Sequence, residues 1–114
     1  MDEHTGTATY VEGLIGLLEP FDTKPRAQKV LENDTAHVVA FEFAAGQELH
    51  EHSAHHPVLI QVLSGHARLS HADGEVDLRP GDLLHLTPLL KHSVLAVETT
   101  TLTVTMLIAP PVRT

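Results

Sequence analysis

Apolar residues in this chain come in short runs that alternate with polar ones, and a glycine or proline closes nearly every run. The clearest case is Thr101 to Met106, where Leu102, Val104 and Met106 fall on one side and Thr101, Thr103 and Thr105 on the other. That alternation is the period of a β-strand, whose successive side chains point to opposite faces. His92 to Glu98 behaves the same way, with His92, Val94 and Ala96 sharing a face. Strands are also predicted at Arg26 to Glu32, His37 to Ala45, Gln47 to His52, Val58 to Leu63, His66 to His71, Glu75 to Arg79 and Leu83 to Thr87. Val58 to Leu63 is apolar enough for burial on both faces. Asn33-Asp34, Gly46, Gly65 and Pro80-Gly81 mark turns between them, the last pair fitting the centre of a type II turn. Asp73-Gly74 predicts a hairpin whose two central residues both take positive φ. Only Tyr10 to Glu19 carries helical spacing, through Val11, Leu14, Ile15 and Leu18. Gly13 and Gly16 weaken that pattern and leave a short helix or an extended arm as the alternatives. The expectation is an all-β sandwich or barrel at residues 26–114, preceded by an arm or short helix at residues 1–25.

Composition narrows the partners. A chain of 114 residues holds one ordinary domain with one core. Acidic residues outnumber basic ones, 15 to 7, for a formal net charge of −8. The few Lys and Arg are scattered, which argues against nucleic acid and anionic membrane, since both call for a clustered basic surface. With no cysteine, neither a disulfide framework nor a thiolate metal site is possible. No apolar run approaches the roughly 20 residues of a spanning helix, and the acidic start does not read as a signal peptide, so a cytoplasmic protein is expected.

Ten histidines are the anomaly. Four lie between residues 50 and 56: His50, His52, His55 and His56. On a regular strand His50 and His52 would face the same way, and two imidazoles on one face can share an ion if a third ligand arrives from elsewhere. His92 is the candidate for that third ligand. Chance alone predicts about 0.8 His-x-His pairs in so histidine-rich a chain, so the spacing needs its context. His4, His37, His66 and His71 read as surface residues, and His85 as a mid-strand residue packed in the core or lining a cavity.

That context resembles the cupin family of small jelly-roll barrels, the double-stranded β-helix fold. Gly46, His50, His52 and Gly65 match the family's first motif, with three residues instead of five between Gly46 and His50. Gly81 and His92 match the second, but Thr87 and Leu89 stand where that motif has proline and glycine. The likeness runs from Lys29 to Ile108, most strongly in GQELHEH, PVLIQVLSG, RPGDLLHLTP and KHSV. The resemblance implies a divalent ion (Fe, Mn, Ni or Zn) inside the barrel, with His50, His52 and His92 as ligands. Val58 occupies the place of the carboxylate ligand usual in metal-binding cupins, so His56, on the loop just before it, is the expected substitute. His55 and Glu48 are weaker candidates for that place.

Two functions follow as expectations. One is a metal-binding cupin acting on or binding a small molecule, with dioxygenase-like chemistry among the possibilities, since an ion held by neutral imidazoles keeps open positions. The other is a non-catalytic cupin, a small-molecule or metal-responsive binding module with a degenerate metal site, and Val58 favours it. The low aromatic content, only Tyr10, Phe21, Phe41 and Phe43, fits a small polar or chelating ligand better than a sugar. The resemblance also implies a homodimer, with the segment before His37 available to cover a sheet edge.

Overall fold

The computed structural model describes residues 6–108. Nine strands carry the fold: β1 (Arg26–Glu32), β2 (Ala36–Phe43), β3 (Glu48–His52), β4 (Val58–Ser64), β5 (Ala67–His71), β6 (Gly74–Leu78), β7 (Leu84–Leu86), β8 (His92–Ala96) and β9 (Thr100–Leu107). They form two antiparallel sheets, one in the order β1-β2-β9-β4-β7 and the other in the order β3-β8-β5-β6. No helix among the described residues is long and apolar enough to cross a membrane.

Alternation decides which side chains meet between the sheets. Phe43 of β2, Ile60 and Val62 of β4, and Leu102 of β9 face Leu69 of β5 and Val94 and Ala96 of β8, and all are buried. Each of these side chains larger than Ala96 contributes roughly 1.5–3 kcal/mol by leaving water. The matching registers, Ile60 opposite Val104 and Leu69 opposite Val94, keep the apolar sets on one side of each sheet.

One end of the sandwich is sealed. Gly65 takes φ +100° there, and a Cβ on it would lie 2.2 Å from the carbonyl oxygen of Thr99. Beside it the fully buried Thr100 hydroxyl accepts from the His66 N–H at 3.1 Å, and Val97 N–H donates to the His66 carbonyl at 2.9 Å. The opposite end, where Val58 pairs with Met106 and His92 lies between His52 and His71, is open.

Three local expectations change. Residues 10–19 form no helix, because Gly13 and Gly16 both take φ near +70°, outside the helical region, and a single Leu17-to-Leu14 turn is all that remains. This arm is pinned by the Gly16 N–H to the Thr101 hydroxyl at 3.1 Å and by the Phe21 carbonyl, which accepts from Gln47 Nε2 at 2.7 Å. The β5–β6 hairpin forms, but His71 pairs with Gly74, so the two connecting residues are Ala72 and Asp73. Asp73 keeps a negative φ, and the turn expected at Asp73-Gly74 is not the one used. Third, β4 is not buried on both faces, since Gln61 points to solvent. The Pro80-Gly81 turn is as expected, with Gly81 at φ +98° and Asp82 N–H bonded to the Arg79 carbonyl.

Candidate functional site

The open end contains a cavity of about 180 Å³ lined by Val39 and Phe41 of β2, Val58 of β4, Val104 and Met106 of β9, and Ala54, with His52 and His92 as its polar members. Phe41 stacks on the fully buried core residue Phe43 with ring centroids 6.1 Å apart. The lining is apolar for a topological reason: Val39 and Phe41 on β2, and Val104 and Met106 on β9, are each two residues apart and so share one face of their strand.

His52 and His92 are cross-strand partners, and their rings lie 4.3 Å apart, tilted by 57°. His92 is 5% exposed, while His52 is exposed and stands at the mouth. Each ring is anchored through Nδ1, which donates at 2.9 Å to a backbone carbonyl two residues earlier, that of His50 for His52 and that of Leu90 for His92. Burial holds His92 below its ordinary value of 6.5; the bond to Leu90 opposes this, and the neighbouring imidazoles of His52 and His71 add to the depression.

His50 does not join them. The register between β3 and β8 slips between Leu49 and His52, so three steps on β3 span the two from Val94 to His92 on β8. That is a β-bulge, and it breaks the alternation that would have put His50 and His52 on one face. Leu49 packs against the core and His52 returns to the inside, but the His50 side chain is 91% exposed and lies 3.7 Å from Glu48. Of the loop histidines, His55 is exposed and His56 half-buried, and neither lines the cavity. His85 is exposed, neither core nor cavity, because Leu84 and Leu86 take the inner positions of the short β7.

One neighbour was missed from sequence. His71 sits opposite His92 across β5 and β8, half-buried, completing a row of three imidazoles over three strands. Its parity with the buried Ala67 and Leu69 was the available signal. His66, by contrast, bonds Asp77 at 2.9 Å beside Arg68, away from the cavity.

The donor set can be weighed against a resident ion. Structural zinc takes four protein ligands and catalytic zinc three. Of His50, His52, His56 and His92, only His52 and His92 converge, and Val58 presents an isopropyl group to the same space. Among the described residues no group of three or more His, Asp or Glu side chains is gathered closely enough to hold a metal. The set is one donor short.

Two facing antiparallel sheets, sealed at one end and hollow at the other, define a cupin barrel with an internal cavity. Solved structures share the fold. A cupin superfamily protein from Desulfitobacterium hafniense superposes with a TM-score of 0.77 at 21% identity, over 90% of this chain and 94% of that one. An RmlC-like cupin from Desulfovibrio desulfuricans gives 0.73 at 26% identity, over 91% and 97%. A protein with a double-stranded β-helix domain from Klebsiella pneumoniae gives 0.75 at 21% identity, over 91% and 95%. No curated protein matches the chain. Residues 38–112 match the model of the AraC-like ligand binding domain, and the chain belongs to that family.

Proposed function

We propose that this protein is a non-catalytic binding domain that holds a small molecule in the cavity at the open end of its barrel. The observation that carries this reading is the lining: six apolar side chains around a histidine pair, with no third donor among the described residues to complete a metal centre. An apolar enclosure with a few convergent polar groups is the usual make-up of a small-molecule site. The polarity of the pocket is confined to two imidazoles, so a ligand with an apolar body fits it better than the small polar or chelating one expected from the sequence. Small probe compounds titrated against ¹⁵N-labelled protein test the reading. Saturable shifts should appear at Val39, Phe41, Ala54 and Val104; shifts confined to the outer faces of the sheets would refute it.

A second reading keeps the ion. Metal-bound histidines commonly donate their other ring N–H to a carbonyl, as His52 and His92 both do. In this reading a divalent ion binds the two free ring nitrogens and takes its third donor from the ligand. Metal analysis of protein purified without a histidine tag separates the two readings, near-stoichiometric metal lost in both His52→Ala and His92→Ala being the result that favours the ion.

For the partner we propose a second copy of this chain. The arm exposes Tyr10 (83%), Ile15 and Leu17, a run of apolar surface with few bonds to its own barrel. Light scattering should give a dimer mass for the full chain and a monomer mass after removal of residues 1–20; equal masses would contradict this role for the arm.

A further inference from the structure

The pair at the head of the cavity has a fixed tautomer. A carbonyl oxygen only accepts hydrogen bonds, so the Nδ1 atoms of His52 and His92 must both carry the hydrogen. In an uncharged ring the other nitrogen, Nε2, is then a bare acceptor. His71 is set the opposite way, its Nδ1 accepting from the Asp73 N–H at 3.3 Å, which leaves the hydrogen of its neutral ring on Nε2.

We infer that the cavity selects a neutral, hydrogen-bond-donating molecule of about one ring in size, of the phenol class, whose hydroxyl is received by the Nε2 atoms of His52 and His92. This inference rests on the ligand-binding reading above. Size sets the body of the ligand: a dry apolar cavity of about 150 Å³ is enough for benzene, and this one is about 180 Å³. Phe41 supplies an aromatic wall, and the aliphatic side chains of Val39, Val58 and Val104 complete the enclosure. Charge sets the head group. A carboxylate brings only acceptors and would meet two more, whereas a hydroxyl brings the missing donor. Protonating both rings at 4.3 Å would set two like charges side by side in an apolar wall.

Three probes of similar shape, phenol, toluene and benzoate, are titrated by calorimetry against the full chain and against His52→Leu. Phenol and toluene should bind and benzoate should not. The phenol-to-toluene affinity ratio should fall about tenfold in His52→Leu, the upper range for one net hydrogen bond, while toluene binding persists. If no probe binds, the pocket reading itself fails. If toluene binds but the ratio is unchanged in the variant, the pocket stands and the donor inference is overturned. Benzoate binding tightest would also overturn it, by showing that the pair presents charge. Long-range ¹H–¹⁵N correlation on the wild-type chain reads the tautomer without any variant or ligand: Nδ1–H on both rings is expected, and Nε2–H on either neutral ring would end the argument.

Discussion

Replacing Val58 by glutamate would return a carboxylate to the one position at the cavity where the cupin resemblance expects it. Val58 is 3% exposed and shares the cavity wall with His52 and His92. Without metal, Val58→Glu loses part of the roughly 1.5–3 kcal/mol from valine burial and adds about 1–3 kcal/mol for an under-solvated carboxyl. A net destabilisation of about 3 kcal/mol is expected, which in a domain of this size lowers the melting temperature by roughly 10 °C or more. The same change supplies the third donor, so zinc or nickel at about 100 times its dissociation constant should restore roughly 2.7 kcal/mol. Thermal unfolding of tag-free protein with and without metal, beside metal analysis, reads both halves. The expected pattern is a large metal-dependent rise in the variant and little change in the wild type. A folded Val58→Glu that ignores metal would show that positions 52, 58 and 92 do not share one mouth. An equal rise in the wild type would show that the histidine pair already holds an ion.

Three further outcomes are expected. Leu89, at φ +71° and 60% exposed, occupies the glycine place of the second family motif, so Leu89→Gly should relieve backbone strain and raise stability by about 0.5–1 kcal/mol, read as a higher urea midpoint at unchanged slope; a lower midpoint would contradict this. Gly65→Ala should cost more than about 3 kcal/mol, because its methyl would overlap the Thr99 carbonyl at a φ that suits only glycine, and a loss below about 1 kcal/mol in denaturant unfolding would rule out that close approach. Because the folded state holds His92 below 6.5, the unfolded chain takes up its proton first as the pH falls. The stability this residue contributes is therefore complete above about pH 6.5 and lost below it, by at most about 1.4 kcal/mol per pH unit. Urea unfolding between pH 7.5 and 5 should show a steeper acid loss in the wild type than in His92→Gln, and parallel curves would refute the assignment.

The architecture was legible because its signal is periodic. Inward residues such as Val94, Leu102 and Val104 alternate with polar ones, and the turn glycines and prolines punctuate the strands near their observed ends. The site was legible only in part, because it depends on local departures from that period. Nothing about Glu51 marks it as lying in a bulge, yet the bulge sends His50 to solvent and His52 inward. His71 reads as a surface residue in the sequence, although it is the cross-strand neighbour of His92. The cavity lining comes from β2, β4 and β9, brought together only by strand pairing, so no stretch of the chain announces it.

The slipped register in β3 also bears on how many imidazoles the opening presents. Had the strand run regularly from an inward Leu49, both histidines of the pair would have faced the outside; the extra residue admits one of them. Gain or loss of a residue near this bend would therefore alter the number of imidazoles at the opening while leaving every wall side chain intact. The bend at Glu51 thus sets how many donors the opening presents, as Val58 does from the facing wall.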